Sequence, residues 1–369
     1  MIYCTKCLNP ITRPRLTINA EGVCNSCVHL ENKKVINWKK RDKELKRILK
    51  TYRKKKGFDV IVPCSGGKDG SYVAWRLKND YKMHPLCVTF SPPIQTALGR
   101  QNLENFRNSG FDLIEIRPDP IKYKELCKKL FIEQARCKFP FVIGIGTAVS
   151  YLADKFEIPL IIYGEEGETE YGGVDTYENV DFIDWDYYVK YYHEGIELED
   201  FWWKKLPKGK QNKLKVTWWS KWENWDDKLH AELAKEKCGL QTEAQVGTFT
   251  DYSQLDDYLQ DLHVFEGFIK FGTGRATGDC NLAIHNGRMT REEGMVIIKE
   301  KDGIFPLQHL PKYLEFFGMT EDEFWEVIKK HANLEILQET GNKERPYILK
   351  DDTNLPAEVN TGGDNECVC

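Results

Sequence analysis

At 369 residues the chain is long enough for about two or three domains and at least one large core. Its formal charge of -4 fits neither a nucleic-acid coat nor a membrane-surface protein, and no apolar run reaches transmembrane length. The opening "MIYCTKCLNP" lacks the basic-then-apolar layout of a signal peptide. The twelve cysteines therefore read as free thiols and metal ligands of a cytoplasmic protein, not as disulfides.

Residues 1–32 read as a four-cysteine zinc module. Cys4-x2-Cys7 and Cys24-x2-Cys27, with sixteen residues between the pairs, present four thiolates in the tetrahedral arrangement Zn²⁺ takes in structural sites. Gly22 suits the tight turn before the second pair. A closed four-thiolate site leaves no open position for catalysis, so the module is read as a folding staple. A 4Fe–4S cluster is the alternative, since thiolate number alone does not exclude iron. His29 is read as a surface residue. Residues 33–56 carry thirteen Lys and Arg against two acids, with Trp38, Leu45, Leu49 and Tyr52 interleaved. This is a basic linker helix with a solvated face, or else a surface for an acidic partner or RNA.

From 57 to 181 strand and helix patterns alternate. "FDVIVPC", "HPLCVTF", "DLIEIRP" and "PLIIYG" are predicted strands. "SYVAWRLKND", "TALGRQNLENFRNSG" and "YKELCKKLFIEQARCKF" are predicted helices. The pattern implies an α/β fold with a parallel doubly wound sheet, whose ligands sit at the carboxyl ends of the strands. "VPCSGGKDGS", residues 62–71, falls at such an end. Strand, glycine loop and helix together hold phosphate, because free backbone N–H groups at a helix N-terminus point at the anion. The loop lacks the Walker A spacing.

Residues 165–200 then hold thirteen acids and the single Lys190, and 182–225 hold thirteen aromatics, seven of them tryptophan. The stretch 182–225 reads as an aromatic-rich insertion, either the core of an added subdomain or a sugar-stacking or partner surface. Residues 226–349 are predicted to be mostly helical and to complete the active site, with N-cap signals at Ser253-x-x-Asp256, Thr290-x-x-Glu293 and Thr320-x-x-Glu323. Residues 350–369 read as a flexible tail. "YGEEGETEYGG" follows a predicted strand and offers Glu165, Glu166 and Glu168 to Mg²⁺ or substrate, unless it is a solvated acidic loop. "KFGTGRATGDCNLAIHNGRMTREEG" places Lys270, Arg275, Arg288 and Arg291 among glycines, as phosphate-neutralising groups or as surface ion pairs. Lys270 and Arg275 flank the glycines most closely.

Ser65-Gly66-Gly67-x-Asp69 resembles the PP-loop of the ATP pyrophosphatases, the adenine-nucleotide α-hydrolase type of fold. The resemblance implies that Ser65, Gly66, Gly67, Lys68, Asp69, Gly70 and Ser71 cradle the pyrophosphate of ATP, with Asp69 near Mg²⁺. It also implies that Val88, Thr89 and Phe90 contact adenine. One departure is Gly70, where the family has serine; Ser71 follows it. Over roughly residues 1–345 the cysteine module, the loop and the late glycine-rich motif resemble the N-acetyl sugar amidotransferases of bacterial surface-polysaccharide and flagellin-glycan pathways. That resemblance implies conversion of a sugar acetamido group to an acetamidino group, on a nucleotide sugar or a nonulosonate, through adenylation and displacement of AMP by ammonia. Asp69, Glu165, Lys270 and Arg275 are the implied catalytic groups. A separate glutaminase subunit with an ammonia-conducting barrel is the implied partner. PP-loop tRNA thiolation is the second reading, favoured by the basic helix and disfavoured by net charge and by the lack of a Cys-x-x-Cys pair in the α/β region. A non-enzymatic zinc-ribbon adaptor is the third.

Overall fold

The computed structural model describes residues 1–165, 167–171, 196, 198, 201–204, 209–210 and 213–350, with backbone alone at 168 and 169. The four predicted runs form β1 (Val60–Pro63), β2 (Pro85–Phe90), β3 (Asp112–Ile116) and β4 (Leu160–Tyr163). A fifth strand, β5 (Lys215–Trp218), comes from the aromatic-rich stretch, and all neighbours pair in parallel in the order β3-β2-β1-β4-β5. The sheet therefore runs past residue 181 and into what the sequence presents as an insertion. Val216, Thr217 and Trp218 favour β structure, but "KVTW" is only four residues long inside an aromatic-rich stretch; pairing with β4 makes it a strand. The short hairpin β6 (Leu337–Glu339) and β7 (Tyr347–Leu349) closes the otherwise helical C-terminal part.

Helices before the sheet's fourth strand are α1 (Asn25–Lys34), α2 (Trp38–Tyr52), α3 (Lys68–Asn79), α4 (Ala97–Asn108), α5 (Pro120–Gln134) and α6 (Phe139–Lys155). After it come the short α7 (Gly167–Tyr171), then α8 (Asp227–Cys238), α9 (Tyr258–Phe271), α10 (Arg275–His285), α11 (Arg291–Lys301), α12 (Leu310–Phe317) and α13 (Glu321–His331). Because successive strand residues point to opposite faces, Ile61, Val88, Ile161 and Val216 bury on one side with α5, α6, α9 and α12. Val60, Val62, Cys87 and Ile162 bury on the other, with α2, α3 and α8. Both faces are covered, as a parallel sheet requires. No helix among the described residues is long and apolar enough to cross a membrane.

All the described tryptophans of 182–225 except Trp202 join these two cores. Trp203 is fully buried, its ring 5.2 Å from that of Phe90, and Trp219, Trp222 and Trp225 pack under α3. Trp202 is exposed; Trp185 lies outside the described residues. In the basic stretch, Leu45 and Leu49 of α2 anchor the helix and leave most of its lysines outward.

Two of the three predicted caps form. Thr290 and Thr320 each make a full capping box, at α11 and α13. Ser253 caps nothing; Asp257 accepts the Leu259 N–H at the start of α9 instead. The α6 segment "FPFVIGIGTAVSYLADK" is apolar nearly all round and so lacks the stripe that betrays a surface helix. Its Gly144 admits Phe90 of β2, whose ring would lie 2.3 Å from a Cβ at that position. Replacement Gly144→Ala is expected to destabilise the protein by about 1–3 kcal/mol through overpacking, measured as the midpoint of urea unfolding. An unchanged midpoint would show that Phe90 can move aside.

Candidate functional site

Strand order reverses between β1 and β4, which leaves a crevice at the carboxyl ends of the central strands. A cavity of about 390 Å³ occupies it. One wall is the glycine loop, with Ser65, Gly67, Lys68, Asp69 and Gly70 in the lining. Val88, Thr89 and Phe90 of β2 line it as well, together with Glu165 beyond β4 and Arg275 at the start of α10.

The loop's conformation depends on its glycines. Gly66 has φ +84°, and a Cβ there would sit 2.6 Å from the Leu103 backbone nitrogen. Gly67 is the N-cap of α3, so the first N–H groups of that helix open toward the cavity. At Gly70, where the resemblance leads one to expect serine, a Cβ would lie 2.7 Å from both the Cys64 Cα and the Pro63 carbonyl oxygen. This loop has no room for a side chain there. Ser71 does not take over the missing hydroxyl's place. It is fully buried beneath the loop, its Oγ 3.9 Å from the Cys64 Sγ, and does not line the cavity.

The charged groups form one set. Lys68, buried, donates to Asp69 Oδ2. Burial alone would lower the Lys68 ammonium, but Asp69, Glu165 and Asp227 raise it. Burial alone would raise the Asp69 carboxyl, but Lys68 and His230 hold it down at about 2. Glu165 goes the other way: burial and the neighbouring Asp69 charge push it up to about 7, against Lys68 and Arg275. Two carboxylates and two cations thus meet at one mouth. Asp69 Oδ1 has no hydrogen-bond partner, and the pair Asp69 and Glu165 is an oxygen donor set suited to a hard divalent cation. Arg275 is aimed by its neighbours: its Nη2 lies 3.0 Å from Ser253 Oγ and 2.9 Å from Asp279 Oδ1. Asp279 Oδ2 in turn accepts from Thr248 and Thr250.

Lys270, expected at the phosphates, lies elsewhere. Its Nζ donates to the Ala135 carbonyl at 2.7 Å, beyond the end of α5, and it is absent from the cavity lining. Arg288 pairs with Asp227, and Arg291 Nε donates to the carbonyl oxygens of Cys4 and Cys7. Of the four basic residues in the late motif, only Arg275 reaches the cavity, because it alone stands at the first turn of a helix whose N-terminus faces it. Glu166 and the side chain of Glu168 lie outside the described residues.

Sequence reasoning missed Lys138, which is buried in the lining and donates to Gln260 Oε1 at 2.5 Å. It also missed Tyr252, Ser253, Gln254 and Asp256, a polar wall brought in by the chain before α9. Apart from the cap-like Ser253-x-x-Asp256 spacing these residues carry no local motif; Lys138 lies over a hundred positions from the others.

The four cysteines converge as their spacing predicts. Their sulfurs all lie within 4.8 Å of one another and all four residues are buried, an arrangement built to bind a metal. Backbone N–H groups of Lys6 and Cys24 point at Cys4 Sγ, and His285 Nε2 lies 3.5 Å from Cys27 Sγ. The module is docked firmly: Leu8 N–H donates to Asn281 of α10 at 2.8 Å, and Ser26 Oγ to the Glu170 carbonyl of α7 at 3.0 Å. Lys33 and Glu170 form a buried ion pair.

Residues 246–345 match a family described as LPS biosynthesis protein WbpG-like, C-terminal domain. This is the stretch that supplies Arg275, Asp279, Asn281 and Arg291. Among solved structures, the U34-tRNA thiolase NcsA from Methanococcus maripaludis, determined with its [4Fe-4S] cluster, is similar over 78% of this chain and 87% of that one, at 15% sequence identity and a TM-score of 0.34. No curated protein matches the chain.

The raised Glu165 carboxyl has a consequence for stability. Its folded value of about 7 exceeds the ordinary 4.5, so the unfolded chain loses this proton first and stability falls as pH rises between those values. Glu165→Gln is therefore expected to raise the melting temperature above pH 7, with the difference vanishing toward pH 4. A difference independent of pH would show that Glu165 is not held in the strained ionised form.

Proposed function

We propose that the chain is an ATP-dependent N-acetyl sugar amidotransferase of bacterial surface-glycan biosynthesis. The observation that carries this reading is the conjunction of a WbpG-like stretch with a glycine-loop cavity to which that stretch contributes Arg275. An amide carbonyl is a poor electrophile. Attack by the acetamido oxygen on the α-phosphorus of ATP, with loss of pyrophosphate, turns that oxygen into part of a leaving group. Ammonia then adds to the activated carbon, AMP departs with the oxygen, and the proton shed by nitrogen passes to bulk solvent or to the amidine itself.

The residues have distinct tasks in this scheme. Backbone N–H groups after Gly66 and Gly67, with Ser65 and Lys68, hold the pyrophosphate; Val88, Thr89 and Phe90 take adenine. Asp69 and Glu165 would hold Mg²⁺, which would neutralise phosphate charge there. Arg275, fixed by Asp279 and Ser253, faces the charge that builds up at the α-phosphate. Tyr252, Ser253, Gln254 and Asp256 offer hydrogen bonds to sugar hydroxyls. Ammonia comes from a separate glutaminase subunit through an ammonia-conducting barrel. In the four-thiolate centre we propose structural Zn²⁺, since no ligand position is left open.

Thiolation of tRNA requires reactive cysteines that carry persulfide, or three cysteines that hold a cluster, and among the described residues the cavity lining contains one cysteine. The thiol in the lining, Cys64, is pushed up to about 12 by burial, and burial also raises the thiols of Cys87, Cys127 and Cys137. Amidination is the better account.

Incubation with ATP, ammonium and a diacetamido nucleotide sugar or nonulosonate is expected to release AMP and pyrophosphate and to give a product in which NH replaces oxygen. Asp69→Asn is expected to slow AMP release by about 10²–10³-fold. Sugar-dependent AMP without a change of product mass would refute amidination, and tRNA-dependent AMP would favour thiolation. Metal analysis is expected to find one zinc per chain, with Cys4→Ser impairing folding as a whole rather than turnover alone. Stoichiometric iron and sulfide would overturn the zinc assignment.

A further inference from the structure

The aromatic-rich stretch and α8 bring one buried histidine against the glycine loop. His230 stands behind the cavity wall, outside the lining, and is almost completely buried. Its imidazole is held between two rings, Tyr72 at a centroid distance of 3.9 Å and Trp225 at 4.1 Å. Tyr72 is itself tethered, donating to Glu223 while Arg76 donates to it. Gly164, just after β4, makes the arrangement possible: a Cβ there would lie 3.0 Å from the Trp225 ring and 3.1 Å from the Asp69 Cβ.

His230 Nδ1 faces Asp69 Oδ1 across 3.9 Å, and neither atom has a hydrogen-bond partner. Buried polar atoms are ordinarily paired, so their facing one another is a built feature. The separation exceeds a hydrogen bond by about 1 Å. Hydrogen bonds of catalytic groups are commonly this long in the free enzyme and tighten with substrate. The other carboxylate oxygen, Oδ2, already accepts from Lys68.

We infer that His230 is a positioning residue for Asp69, donating its Nδ1–H to Oδ1 so that the carboxylate is fixed between imidazole and Lys68 when the site fills. This rests on Asp69 serving the nucleotide site as proposed above. The aromatic clamp prevents the imidazole from turning away, which gives Trp225 and Tyr72 a task beyond packing. It also explains why a tryptophan-rich segment lies against the glycine loop.

Two measurements test this. In ¹⁵N-histidine NMR of the intact protein, His230 is expected to be protonated at Nδ1, with a resonance that moves on Asp69→Asn and on adding Mg²⁺ with a non-hydrolysable ATP analogue. Protonation at Nε2 alone, or a resonance indifferent to Asp69→Asn, would overturn the inference. This arm needs no turnover, so it stands apart from the amidotransferase reading. In the AMP-release assay, His230→Phe keeps the ring and removes Nδ1, and is expected to raise the half-saturating Mg²⁺ or lower kcat by about 10–100-fold, with the KM for the sugar unchanged. His230→Asn places a donor near the Nδ1 position and is expected to restore most of the loss; His230→Gln, with its donor at the Nε2 position, is not. Equal impairment of Phe and Asn variants with native circular dichroism would show that His230 acts by packing alone.

Discussion

Helix α10 couples the two chemically distinct parts of the molecule. Its first residue, Arg275, enters the cavity, and its last, His285, lies against the Cys27 sulfur. Eleven helical residues span about 16 Å, and between the ends Asp279 aims the arginine while Asn281 binds the cysteine module. A helix is stiff over that length, so displacement at one end is felt at the other. The helix start is itself secured from below. Asp302 accepts from Thr277, and a Cβ at Gly274 would lie only 2.4 Å from the Asp302 Oδ1.

The four-cysteine module therefore does more than fold an N-terminal segment. Through Asn9 and Ser26 it presses on α7, helped by Lys33 at the end of α1, and α7 directly follows the loop that carries Glu165. Arg291 closes the arrangement by donating to the carbonyl oxygens of both cysteines of the first knuckle. Much of the late glycine-rich motif is devoted to this junction. Its residues look like phosphate ligands in one dimension because arginines among glycines are what phosphate sites use. In three dimensions one of them contacts the cavity and two are structural ties.

Electrostatically, the mouth depends on unlike neighbours. Asp69 and Glu165 are both carboxylic acids beside the same lysine, yet one is held down and the other pushed up. The difference is that Lys68 and His230 face Asp69 directly, whereas Glu165 feels the Asp69 charge itself. Such separation of two acids in one site is the usual preparation for binding a cation or moving a proton.

Local patterns were enough for the parallel α/β layout, the four-thiolate centre and the glycine loop. Strand runs, Cys-x2-Cys knuckles and Ser-Gly-Gly-x-Asp each encode their geometry within a few residues, by backbone conformation and ligand spacing. The fifth strand was not legible, because "KVTW" is β-favouring but only four residues long, and it is pairing with β4 that fixes it as a strand. Nor were Lys138 and His230, which reach the site through packing between distant helices. Lys270 lies away from the cavity and Arg275 in its lining for one reason. The residues share a motif, but Gly272, the left-handed C-cap with φ +72°, ends α9 between them. Side-chain direction after such a cap is set by what the following helix packs against, and only the tertiary structure decides that.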